Sequence, residues 1–253
     1  MINITKVEKS YGELNVLNGL TIDFPKGKVT SLIGGNGAGK STLLSVVSKL
    51  NQTDAGRVCI AQRDIDHITN KEFATKVSFL RQSNYTHIRL KVEELVGFGR
   101  FPYTRGKRLT EKDKEIVDNA MQHMELHHIA HKYLDELSGG QRQRAYLAMI
   151  LAQDTEYILL DEPLNNLDMK YSVQIMKTLK SFAHKHGKTV ILIVHDINIA
   201  SQYSDYIAAL KDGKVKYFGT TNDIIKPKIL KDIFDIDFQV ILNHGCRFCH
   251  YYN

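Results

Sequence analysis

The stretch Gly34-Gly35-Asn36-Gly37-Ala38-Gly39-Lys40-Ser41-Thr42 constrains this chain more than any other. It fits G-x-x-x-x-G-K-[ST], follows the apolar run Val29 to Ile33 and opens the amphipathic segment Lys40 to Leu50. The chemistry asks for that order. Glycines let the backbone curl with its N–H groups turned onto a phosphate, and the helix start adds the positive end of its dipole. Lys40 reaches the outer phosphates and Ser41 offers a hydroxyl to Mg²⁺. A strand that runs into such a loop and then a helix belongs to an α/β fold. Tyr157 to Leu160 and Val190 to Val194 are further apolar runs without polar alternation, the pattern of strands buried on both faces of a parallel sheet.

Elsewhere the periodicity changes. Between Val92 and Gln153 it becomes helical, with Ile116, Val117, Ala120 and Met124 on one stripe. The first 30 residues and Arg57 to Ala61 read as strands, the material for a small antiparallel layer. No repeat of roughly 20 to 50 residues interrupts the chain, and four prolines leave no hinge-like linker. One domain over 1–253 is expected, with a helical insertion at about 88–153.

Composition removes several classes. With 43% hydrophobic residues and 17 glycines the chain is too apolar to be disordered. Its longest unbroken apolar run, Ala145 to Ala152, falls far short of the roughly 20 residues of a membrane span. The start, Met1 to Lys6, alternates like a strand rather than an export signal, and three cysteines suit a reducing compartment. A cytoplasmic location is expected. The charge of +6 is spread thinly, and the small concentration at Arg100, Arg105, Lys107 and Arg108 reads as solvated surface. No aromatic-interleaved basic module is present, so no nucleic-acid partner is expected.

Two more motifs complete the phosphate chemistry. Ile158-Leu159-Leu160-Asp161-Glu162 puts Asp161 at a strand end, where it can hold Mg²⁺ through water, and Glu162 one residue on, where it can polarise an attacking water. Leu137-Ser138-Gly139-Gly140-Gln141 sets an N-cap Ser and two glycines before an apolar helix, a second anion-binding helix start. A chain with one phosphate loop has use for a second cradle when that cradle serves a nucleotide held by another copy. A dimer with shared sites is therefore expected.

Taken in order, these residues resemble the ATP-hydrolysing subunit of an ABC transporter over essentially the whole chain. The resemblance implies a P-loop NTPase (RecA-like) core with a small antiparallel β layer and an inserted helical subdomain. It implies that Ser138, Gly139, Gly140 and Gln141 form the family's signature sequence, which completes the ATP site of the opposite protomer. Gln82, after Val77 to Leu80, is similar to the Q-loop glutamine that senses the metal, so the implied Mg²⁺ set is Ser41, Gln82 and Asp161. His195 resembles the switch histidine, Asn166-Leu167-Asp168 the D-loop, and Tyr11 the aromatic that stacks on adenine. Two departures stand out: Gly35 where many relatives carry Pro, and Leu164-Asn165-Asn166 in place of a Thr-Ser-Ala type of linker.

The stretch Val92 to Tyr103 is similar to that of ATPases serving importers of iron(III)-siderophores, haem and cobalamin, and Pro163 to Met169 resembles the siderophore branch. The implied partners are a second copy or a paralogue, a polytopic membrane permease and, indirectly, an extracytoplasmic substrate-binding protein. The implied place is the cytoplasmic face of the membrane. The alternatives are a cobalamin or haem importer, or a soluble ABC-type ATPase of iron–sulfur assembly. At the end of the chain, His244, Cys246, Cys249 and His250 form either a metal or redox cluster or an ordinary terminal strand.

Overall fold

The computed structural model describes residues 1–82, 89–243 and 245–251. They divide into two compact units, Met1–Ile68 with Leu179–Asn253, and Thr69–Thr178. Position 88, where the helical insertion was expected to begin, lies outside the described residues.

The first unit contains the expected antiparallel layer, in the order Leu14–Phe24, Ile2–Tyr11, Ala55–Ile60, Arg63–Asp64. Its two long strands pair from Ile2 opposite Phe24 to Tyr11 opposite Leu14. Ile2, Ile4 and Val7 are buried along one of them and Leu20, Ile22 and Phe24 along the other. Beside this layer, Val29–Ile33 lies between two parallel neighbours, Thr189–Ile193 and Tyr206–Lys211. Every residue of Val29–Ile33 and of Thr189–Ile193 is buried, as an unalternated apolar run requires. Of the hydroxyls inside, Ser31 shares a 2.6 Å hydrogen bond with Ser204 and Thr189 accepts from the Gly27 amide, while Thr30 Oγ1 is buried with no hydrogen-bond partner among the described residues. The register sets Leu32 opposite Ile193. The phosphate loop after Ile33 and His195 after Val194 therefore leave the sheet at the same carboxyl edge.

The second unit holds a parallel pair, Val77–Leu80 with Tyr157–Leu160, in register from Val77 opposite Tyr157 to Leu80 opposite Leu160. Its helices Val92–Phe98, Glu111–His123 and Gly139–Ala152 bury Leu95 and Val96, Val117 and Ala120, and Leu147 and Ile150 respectively. Thr110 starts the middle helix with a capping box, its hydroxyl oxygen accepting from the Asp113 amide while Asp113 accepts from the Thr110 amide.

Two expectations need correction. The helix of the phosphate loop stops at Val47 rather than Leu50, because Lys49 turns left-handed at φ 61° and leaves Leu50 exposed. Arg100 is not surface: it is 6% exposed and bonds Asp113 at 2.9 Å and the Ala152 carbonyl at 2.9 Å. Arg105, Lys107 and Arg108 are exposed as expected. Among the described residues no helix is long and apolar enough to cross a membrane.

Candidate nucleotide site

In the first unit the phosphate loop has the backbone its glycines permit. Gly34, Gly37 and Gly39 have φ of 142°, 76° and 94°. A Cβ on Gly34 would run into the Leu210 carbonyl, and one on Gly39 would stand 2.9 Å from the Val16 carbonyl, so neither position accepts a side chain. Gly35, the departure from Pro, has open space around it and no positive φ. Gly39 stands at the N-cap of the helix Lys40–Val47 in the left-handed region, with no side-chain cap bond. Lys40 is 7% exposed, with Nζ donating to the Gly34 and Gly35 carbonyls at 2.8 Å each. The ammonium is thereby held at the loop whose N–H groups would face a phosphate.

His195 is exposed directly after its buried strand, and Asp196 caps the following helix by accepting from the amides of Asn198 at 2.7 Å and Ile199 at 3.2 Å. Tyr11 ends its strand with a ring 48% exposed, a platform for an aromatic base, while its hydroxyl accepts from Asn51 Nδ2 at 2.7 Å. Nearby, the Lys9 ammonium and the Ser10 amide both donate to Asp54 and hold its carboxyl below the usual range.

In the second unit the parallel pair brings Gln82 and Glu162 together. Asp161 continues the strand, its amide donating to the Leu80 carbonyl at 2.9 Å, and its side chain is buried at 5% exposure. Gln82 Nε2 donates to Glu162 Oε2 at 2.7 Å. Asn165 Nδ2 donates to the same oxygen at 2.6 Å, a contact that the sequence reading missed. The departure at Leu164-Asn165-Asn166 was its trace.

Ser138 caps the helix Gly139–Ala152 in a reciprocal box with Gln141, its Oγ accepting from the Gln141 amide at 3.3 Å. The two glycines allow close approach of the D-loop: a Cβ on Gly140 would stand 3.1 Å from the Asn166 carbonyl. A cavity of about 610 Å³ is lined by Ser138, Gly139, Gly140, Asn166 and Asp168 among others. Signature and D-loop thus form one surface. A second groove, about 790 Å³, is lined by Glu93, Glu94, Gly97, Phe98, Phe101 and Lys107, with both phenylalanine rings exposed by half or more.

The terminal cysteines are not brought together. Cys246–His250 is a strand paired with Gln239–Asn243, and a spacing of three on a strand sends Cys246 outward and Cys249 inward. Cys249 packs with Ile197, Ala200, Ile224 and Phe238, and burial pushes its thiol up to about 11. Asn198 bonds both the Cys249 amide and its carbonyl. His244 lies outside the described residues. Among those residues no group of three His, Cys, Asp or Glu gathers as a metal site would need.

Residues 17–165 match the model of the family described as ABC transporter. Over 240 residues the chain is 50% identical to the petrobactin import ATP-binding protein YclP of Bacillus subtilis (strain 168), covering 95% of each chain. It is 39% identical over 232 residues to the iron(3+)-hydroxamate import ATP-binding protein FhuC of the same organism, covering 91% of this chain and 86% of that one. Among solved structures, the dimeric post-hydrolysis state of the ATP-binding cassette MJ0796, bound to ADP and Pi, matches with a TM-score of 0.79. That match is 31% identical and covers 87% of this chain and 99% of the cassette. The chain belongs to the ABC transporter family, as one of its ATP-binding, ATP-hydrolysing subunits on a P-loop NTPase fold.

Proposed function

We propose that residues 1–253 act as a single ABC-type ATPase domain that powers an importer of iron(III)-siderophores from the cytoplasmic face of the membrane. The observation that carries this reading is the near-full-length identity with a relative named for petrobactin import. The hydroxamate-importing relative differs in chelate, so the class proposed is the siderophore and not one compound. The partners are a second copy or paralogue, a polytopic permease whose cytoplasmic segment occupies the groove at Phe98 and Phe101, and indirectly an extracytoplasmic binding protein.

Roles follow from the chemistry of each side chain. Gly34 to Gly39 with Thr42 wrap the phosphates by backbone N–H groups, Lys40 meets the β and γ oxygens, and Tyr11 stacks on adenine. Ser41, Gln82 and Asp161 offer oxygen donors, the kind Mg²⁺ takes, and Asp161 is buried. Mg²⁺ supplies charge neutralisation on the phosphate oxygens when bound. Glu162 accepts the proton of the attacking water, and His195 orients the γ-phosphate. Ser138, Gly139, Gly140, Gln141 and Asp168 serve the nucleotide of the opposite copy.

The test is growth of a deletion strain on defined iron chelates. Loss of growth on one or more iron(III)-siderophores, with haem and cobalamin utilisation intact, is expected. Unimpaired growth on every siderophore offered, or loss confined to cobalamin or haem, would contradict the assignment.

A further inference from the structure

We infer that Asn165 is a positioning residue for Glu162, holding the carboxylate in place when Gln82 turns to the metal; this rests on the reading of Glu162 as general base. Two amides, Gln82 Nε2 and Asn165 Nδ2, donate to the same oxygen, Oε2, at 2.7 and 2.6 Å. Both bonds are charge-assisted and strong enough to fix a rotamer. The two donors differ in what else they have to do. Gln82 has a second task at the cation, and it belongs to a segment 80 residues away in sequence. Asn165 is three residues from Glu162 and is tied to it by the chain itself.

The local backbone supports the clamp. Glu162 turns the chain in the left-handed region at φ 51°. From there the chain folds back, the Asn165 amide donating to the Glu162 carbonyl at 3.3 Å and the Leu167 amide to the Leu164 carbonyl at 3.3 Å. Gln143 on the signature helix donates to the Pro163 carbonyl at 3.0 Å, fixing the middle of the turn. The tight turn returns the Asn165 side chain to the carboxylate it follows. A Ser at this position would be an atom shorter, so the departure from the family's Thr-Ser-Ala linker is what makes the contact.

The experiment compares Asn165→Ala, Asn165→Asp and Glu162→Gln, singly and Asn165→Ala combined with Glu162→Gln. Asn165→Ala should lower kcat about tenfold, equivalent to about 1.4 kcal/mol, with KM for ATP and the equilibrium affinity for a non-hydrolysable analogue changed less than about twofold. Asn165→Asp keeps the size, removes the N–H donors and should fall at least as far. Because Asn165 acts through Glu162, adding Asn165→Ala to Glu162→Gln should change the residual rate by less than about twofold. Unaltered kcat in either Asn165 variant, a parallel loss of ATP affinity, or the full tenfold loss persisting in the Glu162→Gln background would overturn the inference alone. Near-normal turnover by Glu162→Gln itself would remove the general-base reading, and the inference with it.

Discussion

Lys40 holds a position in which its charge is buried and satisfied by two backbone carbonyls of the loop it serves. Replacing it with Ala leaves the glycine backbone intact and removes one charge-assisted contact to phosphate, worth about 3 kcal/mol. ATP affinity measured by calorimetry should weaken roughly a hundredfold; undiminished binding would contradict the assignment. The cysteines allow a second prediction at this scale. At pH 8, iodoacetamide should modify exposed Cys246 more than about a hundredfold faster than buried Cys249, the difference vanishing in denaturant. The folded state keeps the Cys249 proton to about 11, against an ordinary value of 9.0. Its contribution to stability is therefore whole below pH 9 and is lost as pH rises through 11; Cys249→Ser should remove that part of the alkaline slope in denaturant titrations. The motifs that carry Lys40, Ser41 and Asp161 were legible in the sequence because each is written in covalent neighbours. The contact of Asn165 with Glu162 was not, since it depends on a turn that no propensity scale anticipates at Glu162.

At the level of helices and strands, the periodic signals were readable and the cross-element contacts were not. The buried parallel strands followed from unalternated apolar runs; of the stripe Ile116, Val117, Ala120 and Met124, the last three are buried and Ile116 is half-buried. Arg100 escaped because its carboxylate partner lies on another helix, thirteen residues on, and isolated charges are ordinarily surface. The pair is knit into both elements: Arg100 also stacks over Tyr103 at 4.1 Å, and Asp113 takes a 2.6 Å bond from the Thr110 hydroxyl. That hydroxyl first, and the guanidinium after it, hold the Asp113 carboxyl below its usual range. The stabilisation is thus present above the ordinary carboxylate pKa and is lost as pH falls through the lowered one. Arg100→Met leaves the Asp113 carboxylate buried without its cation and should cost about 3 kcal/mol. For a chain of this length that is a fall of roughly 6 to 12 °C in melting temperature. A melt within 1 °C of wild type would show the pair to be dispensable.

For the whole molecule, the decisive question is what the second anion-binding helix start is for. The phosphate loop belongs to the first unit and the signature surface to the second. Ser138, Gly139 and Asp168 are exposed, and Met169 beside them is 83% exposed, a surface suited to a partner copy. The order of motifs along the chain made the family legible from sequence, because each motif is local and their succession is hard to reach by chance. What the sequence could not supply was the geometry that joins Gln82 to Glu162, which depends on the parallel register of two strands far apart in the chain. The central claim is that ATP is held between two copies, gripped by the glycine loop of one and capped by the Ser-Gly-Gly helix start of the other. Light scattering on purified Glu162→Gln tests it most directly. With ATP the mass should double, with ADP it should not, and Ser138→Arg should abolish the doubling while leaving nucleotide binding to the monomer intact; a Glu162→Gln protein that binds ATP and stays monomeric would contradict the account.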